Sequence, residues 1–218
     1  KISTIQKIKI PLPPLEIQEQ IVAELKSYQK IIDGARQIVK SWKPTFKIDP
    51  KWQIVKIGEV FETIIPPKKI QKNQYGTTGK YPIIDQSQDE IAGRTDDTSA
   101  LVEPIKAFVI FGDHTCSVKY SEISFAQGAD GIKILETKQK CLPKYLFYFL
   151  KMLPVEMEGY KRHFGKLKST KIPLPPIETQ KQIVAKIETE QKIINANKEL
   201  ITIFENKIKD KIAEVWGD

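Results

Sequence analysis

Twenty-four residues of this chain occur twice. Lys9 to Ile32 reads KIPLPPLEIQEQIVAELKSYQKII and Lys171 to Ile194 reads KIPLPPIETQKQIVAKIETEQKII, with 16 of the 24 aligned residues identical at a constant offset of 162. Each copy opens on Ile-Pro-Leu-Pro-Pro, where the prolines fix φ and hold the residues before them out of the helical region. A long segment with apolar residues at helical spacing follows. One copy therefore encodes one strut: an extended lead-in that turns into a helix.

The helical parts carry a seam. In the first copy Ile21, Leu25, Tyr28, Ile32, Ala35, Val39 and Trp42 follow a four-three alternation; in the second Ile183, Ile187, Ile194, Ile201, Phe204, Ile208 and Val215 do so, with Glu190, Asn197 and Lys211 as polar interruptions. Apolar residues at this period mark a coiled coil, although ordinary bundle core gives the same pattern. Two such seams behind the same proline lead-in predict a dedicated spacer. The helices pair antiparallel, with the intervening residues as the return connection and Asn197 fixing the register.

At 218 residues the chain supports one good core plus the helices. The expected organisation is residues 1–14 as the end of a preceding unit and a proline-rich lead-in, 15–43 as the first helix, 44–170 as a globular domain and 171–218 as the second lead-in and helix. The first repeat is under way almost at once, so the sequence reads as a piece or a half-length form of something longer. No run of 18 apolar residues occurs, so a soluble protein without a membrane partner is expected. Cys116 and Cys141 lack CxxC spacing, which fits a reducing, cytoplasmic compartment.

The net charge of +8 is unevenly placed. No acid interrupts Thr63 to Ile84, which holds Lys68, Lys69, Lys72 and Lys80, or Gly159 to Ile177, which holds Lys161, Arg162, Lys166, Lys168 and Lys171. A basic run is usually a solvated face. These tracts also carry Tyr75, Tyr81, Tyr160, His163 and Phe164, the mixture a nucleic-acid surface uses.

The spacing predicts a helix from Leu15 to about Trp42, a strand over Trp52–Ile57, a short helix over Gly58–Thr63 and a lysine-bearing loop broken by Pro66, Pro67, Gly76 and Gly79. Tyr81–Ile84 reads as a strand, with Gly93 and Arg94 in a turn. The apolar run Ala107–Phe111 reads as a buried strand, followed by short strands at Cys116–Tyr120, Ile123–Ala126 and Gly131–Leu135. Pro143–Leu153 is a helix that packs on this curled, mostly antiparallel sheet, and Gly159–Ser169 is a basic connection. The fold class is thus α+β: a mixed, mostly antiparallel β domain with short helices, flanked by two long helices.

No catalytic constellation competes for attention. His114 and His163 are the only histidines. Asp113-His114-Thr115-Cys116 sets acid, base and thiol side by side, but neighbours along a strand face opposite ways, and a metal would need further ligands the chain barely has. No Walker loop or Gly-x-Gly-x-x-Gly is present, and no cofactor is expected.

The succession WQIVKIGEVF, YPIIDQSQDEIAG, IFGDHT, YLFYFL and GYKRHFGKLKSTKIPLPPIETQKQIVAKIE, running into a helix that ends EVWG, resembles the DNA-specificity subunit of type I restriction-modification systems. That family joins two target-recognition domains to two helical regions, and this chain is similar to the end of one domain, a helix, one complete recognition domain and the second helix. The resemblance implies a non-catalytic subunit that reads one half of a bipartite site in double-stranded DNA while the helices set the gap. Its partners would be methyltransferase subunits and, through them, restriction subunits, with a homodimer if the half-length form is natural. DNA chemistry then assigns roles. Lys68, Lys69, Lys80, Lys161, Lys166 and Lys168 would neutralise phosphates, Gln86 and Gln88 address adenine, Arg94 or Arg162 guanine, and His163 sits beside the lead-in on the DNA side. Phe164 and Leu167 pack. Asp85 to Asp89 equally reads as a polar turn, and Arg94 as a partner of Asp96 or Asp97. The rival readings are a coiled-coil scaffold without DNA specificity and the recognition part of a fused restriction-methylation enzyme.

Overall fold

The computed structural model describes residues 12–129, 131–159 and 161–216. Most of the predicted extended stretch before Pro14, together with Tyr160 and Gly217, lies outside the described residues. The chain divides into two compact units, one made of the described residues up to Trp42 with those from Glu188 onward, the other of Lys43–Ile187.

The first unit pairs helix α1 (Leu15–Ser41) with the distal part of a second long helix, Ile177–Trp216. The pairing is antiparallel: Lys211 reaches Glu24 at 3.4 Å, the Tyr28 and Phe204 rings lie 5.3 Å apart, and the Trp42 indole donates to Glu190 at 3.2 Å. Every seam residue of α1 from Ile21 to Val39, and Trp42 just past its end, is buried or half-buried, Ile32 and Ala35 most deeply. Two of the polar interruptions thus find partners on the other helix. Asn197 instead donates to Ile193 O of its own helix at 2.9 Å, while Glu190, Lys211 and Glu205 bond across to the first strut.

The second unit is built on strands β1 (Gln53–Lys56), β2 (Phe61–Ile64), β3 (Tyr81–Ile84), β4 (Gly93–Thr95), β5 (Leu101–Val102), β6 (Phe108–Gly112), β7 (Val118–Ser121), β8 (Phe125–Gln127), β9 (Ile132–Thr137) and β10 (Lys171–Leu174). They form two four-stranded sheets, β2-β9-β6-β7 and β4-β3-β8-β5, and a β1-β10 ribbon, antiparallel throughout except for β3 beside β8. Two sheets stand where one curled sheet is expected. Strand β6 explains why its sequence is a continuous apolar run. Val109 and Phe111 join a core under helix α2 (Pro143–Met152), and Phe108 and Ile110 join a second core with Ile84, Val102 and Phe125. Both faces of the strand are buried, as a central strand between layers requires.

Three local expectations change. The predicted helix at Gly58–Thr63 is a 3-10 turn over Ile57–Glu59 followed by β2, because Phe61 and Ile64 find a ladder on β9. Gly93–Arg94 is strand rather than turn, drawn out by pairing with Pro82 and Ile83. The basic connection contains a short helix α3 (Phe164–Ser169), anchored by the fully buried Leu167. The long helix α4 (Ile177–Trp216) begins as expected after the second lead-in.

Repeat-equivalent residues do equivalent work at the two lead-ins. Gln18 Nε2 donates to Pro13 O at 2.7 Å, and Gln180, 162 positions on, donates to Pro175 O at 2.8 Å. Only Gln180 does more: fully buried, it also donates to Lys140 O and accepts from Leu142 N–H, both at 2.9 Å. Replacing Gln180 by Leu should therefore destabilise the chain by about 1–3 kcal/mol for each group that is left dry and unpaired, against less than about 1 kcal/mol for Gln18→Leu. Urea unfolding of both variants checks this, and equal losses would mean that the additional bonds of Gln180 add nothing.

Candidate nucleic-acid interface

The second basic tract is organised from inside. Asp113, 4% exposed, follows β6, and its carboxylate accepts from the N–H groups of His163 and Phe164 at 3.0 and 2.8 Å, capping α3 from a distance in sequence. His163 is 1% exposed. Its Nε2 accepts from Glu158 N–H at 2.9 Å, which leaves Nδ1 as the protonated nitrogen facing Asp113 O at 3.2 Å. The imidazole is thus an interior brace beside the basic surface and does not reach solvent. Asp113 and Cys116 do not meet His114 along a strand: residues 113–117 form a turn, in which Cys116 adopts φ 53° and burial raises its thiol above the ordinary value.

Around this brace the cations sort into two kinds. Lys161 and Lys166 both pair with Glu158 at 2.5 Å, and their ammonium groups hold its carboxyl down at about 2. Lys168 lies over the Phe164 ring at 5.3 Å and Lys133 over the same ring at 5.4 Å, and neither ammonium has a carboxylate partner among the described residues. Arg162 is exposed and beside them in sequence. Glu158 stands immediately before the second tract, whereas Lys133 lies far from it in sequence and only the fold brings it to this surface.

The first tract is a separate cluster. Lys68 pairs with Asp97 at 2.6 Å, pulling that carboxyl down to about 2, and Lys80 lies over the Tyr81 ring at 5.2 Å. Lys69 is exposed, while its backbone bridges to Gln127. Arg94, half-buried on β4, donates to Gly79 O at 3.2 Å, so it braces the lysine-bearing loop rather than pairing with Asp96 or Asp97. Gln86 and Gln88 share the turn after β3 but differ in exposure: Gln88 is exposed and lines a shallow cleft with Thr115, Lys119 and Lys151, whereas the half-buried Gln86 turns its side-chain amide oxygen (Oε1) inward.

Removing the remote cap should loosen this surface first. Asp113→Ala leaves the Phe164 N–H without its acceptor and the His163 N–H with only the Asp113 backbone carbonyl at 2.8 Å, an expected cost of about 1–3 kcal/mol. Amide hydrogen exchange should rise across residues 156–169 before it rises in β6 or β9, and unchanged protection there would show that Asp113 is not what holds the segment.

Residues 1–40 and 50–206 match the family described as the type I restriction modification DNA specificity domain. Over 175 residues the chain is 27% identical to the type I restriction enzyme EcoR124I/EcoR124II specificity subunit of Escherichia coli, covering 77% of this chain and 40% of that protein. Among solved structures, a chain of a type I R-M system aligns with a TM-score of 0.60 at 20% identity, and the HsdS subunit from Thermoanaerobacter tengcongensis with 0.52 at 19%. Each alignment covers 95% of this chain and 60% of the other, so the chain spans less than two thirds of the relatives it matches. The likeness extends to the α+β arrangement of mixed sheets and long helices, and with the family match running over both repeats and the sheets between them, the chain belongs to the type I restriction-modification DNA-specificity family.

Proposed function

We propose that this chain is the non-catalytic, DNA-reading part of a type I restriction-modification assembly, in which the Lys43–Ile187 unit reads one half of a bipartite target. The observation that carries this is the surface around α3. Lys133, Lys168 and Arg162 present positive charge with no carboxylate partner among the described residues, while Lys161 and Lys166 share one glutamate. Phosphates would replace that glutamate, and Lys68, Lys69 and Lys80 would extend the contact along the duplex; Gln88 would offer its side-chain amide to base edges, and Arg94 its guanidinium. His163 acts from beneath as a brace.

The paired helices serve as the spacer and as the seat for methyltransferase subunits, with restriction subunits recruited through them, which places the protein's work in the cytoplasm. The first repeat offers a seat for a second domain of the same kind. Leu12, Leu15 and Val22 are 83%, 69% and 47% exposed, whereas Val184, the repeat equivalent of Val22, is 8% exposed against the β domain. A second such domain, from the same polypeptide or from another copy, would cover that face and complete the bipartite reader.

Glu158→Gln removes the charge that phosphate must displace, so it should tighten binding to every duplex alike. Arg162→Ala with Lys168→Ala should weaken binding to every duplex and flatten the salt slope by roughly one unit per lost phosphate contact. Fluorescence anisotropy across a salt series checks both. Binding that ignores salt, or that favours no sequence over random duplex, would leave a scaffold and no reader.

The spacer has its own test. One heptad inserted after Asp33, matched by one after Glu199, keeps the seam in phase and lengthens the strut by about 10 Å, equal to roughly three base pairs. Selection from targets with randomised gaps should show a longer gap between unchanged half-sites. If the gap stays the same while the protein still binds, the helices do not set the distance.

A further inference from the structure

The turn Asp85–Glu90 after β3 is held by a buried cation. Lys119, on β7 and 3% exposed, donates its ammonium to Asp85 O at 2.8 Å and lies 3.9 Å from the Asp85 carboxylate. Its neighbours Thr115 and Ser117 donate their hydroxyls to Gln86 O at 2.7 and 3.2 Å. From the other side the Tyr75 hydroxyl accepts from Ala129 N–H at 3.0 Å and faces the Asp85 carboxylate at 3.5 Å, which itself accepts from Ser87 N–H at 2.9 Å. The Gln86 amide packs against Gly131, whose φ of 109° and lack of a side chain leave it room. Past these anchors, Gln88, Asp89 and Glu90 are exposed.

A polar turn needs none of this. The bond from Ser87 N–H to Asp85 would by itself stabilise a turn of this length, and surface turns ordinarily end there. Burying an ammonium is costly unless it is fully engaged, and burial does pull the Lys119 pKa below the ordinary lysine value, against the carboxylates of Asp85, Glu90 and Asp89. A device of that cost, spent on a backbone carbonyl, specifies the position of the turn rather than its existence.

We infer that Lys119 is a positioning residue for sequence discrimination: it fixes the Asp85–Glu90 turn so that Gln88 meets a base edge in one geometry, with Gln86 as a buried anchor beneath it. This rests on the chain being a DNA reader. Lys119 itself touches no DNA. Its part is to hold the backbone still, because a bidentate amide contact discriminates between bases only while its donor and acceptor stay in register with them.

The test uses the full chain and a duplex selected by it from a randomised library, with affinity measured on that duplex and on a scrambled one across a salt series. Lys119→Met keeps the length of the side chain and removes the ammonium. The preference for the selected duplex should fall about tenfold, the scale of one base contact, while affinity for the scrambled duplex and the salt slope stay within about twofold. Gln88→Ala should give the same loss, and the double variant no more than either, since both act through one contact. Thr115→Val, which takes away a hydroxyl anchor with little change of volume, gives a second reading if the first variant unfolds, and a several-fold loss of preference is expected. A retained preference in folded Lys119→Met or Thr115→Val overturns the inference, as does an equal loss on both duplexes, which would make Lys119 a structural residue only. A wild-type chain that selects no duplex at all overturns the reading of this chain as a DNA reader, and the inference falls with it.

Discussion

A proline-rich lead-in has carbonyls to satisfy and few N–H groups with which to help, and the second copy meets that constraint with one side chain. Gln180 takes up Pro175 O, then reaches Lys140 O and Leu142 N–H at the turn before α2. The Tyr145 hydroxyl adds a bond from α2 to Pro173 O at 2.6 Å, deep in the core. The lead-in is therefore also the peg from which α2 hangs, and α2 in turn covers the β2-β9-β6-β7 sheet. The repeat is where the domain's packing is referenced, which gives a physical reason for the same short sequence to stand wherever such a domain meets such a helix.

Much of this was legible in the residues because it depends on local rules. Proline geometry and the four-three alternation define the helices. Strict spacing also marks most strands, and Tyr81–Ile84 matches to the residue. What escaped is non-local. Gly93 and Arg94 carry little strand propensity and are extended because β3 offers them a ladder; Gly58 to Thr63 reads as a short helix, yet its second half pairs with β9. Both are cases of tertiary pairing overriding a weak local preference.

The interface shows the same division more sharply. A count of lysines along the chain finds both basic tracts, yet Lys68 is answered by Asp97, and Lys166 by Glu158 and Glu156, all of which lie outside those tracts or just before them. Conversely, Lys133 reads as an isolated cation in a strand, and the fold carries it to the ring it shares with Lys168. His163 was legible as part of the basic stretch but not as an interior group, since its burial depends on Asp113, 50 residues earlier.

Two lysines leaning on one phenylalanine have a kinetic meaning. A cation held by a carboxylate must break that pair before it can meet a phosphate, and the carboxylate must then be moved aside. Lys133 and Lys168 rest at Phe164 on a ring that attracts them weakly and asks for nothing back when they leave. First encounters with a duplex would run through these groups at little activation cost, and Lys161 and Lys166, still closed on Glu158, would engage afterwards. On the reading proposed above, one small surface would hold early and late contacts side by side, and the early ones would release quickly unless the late ones closed.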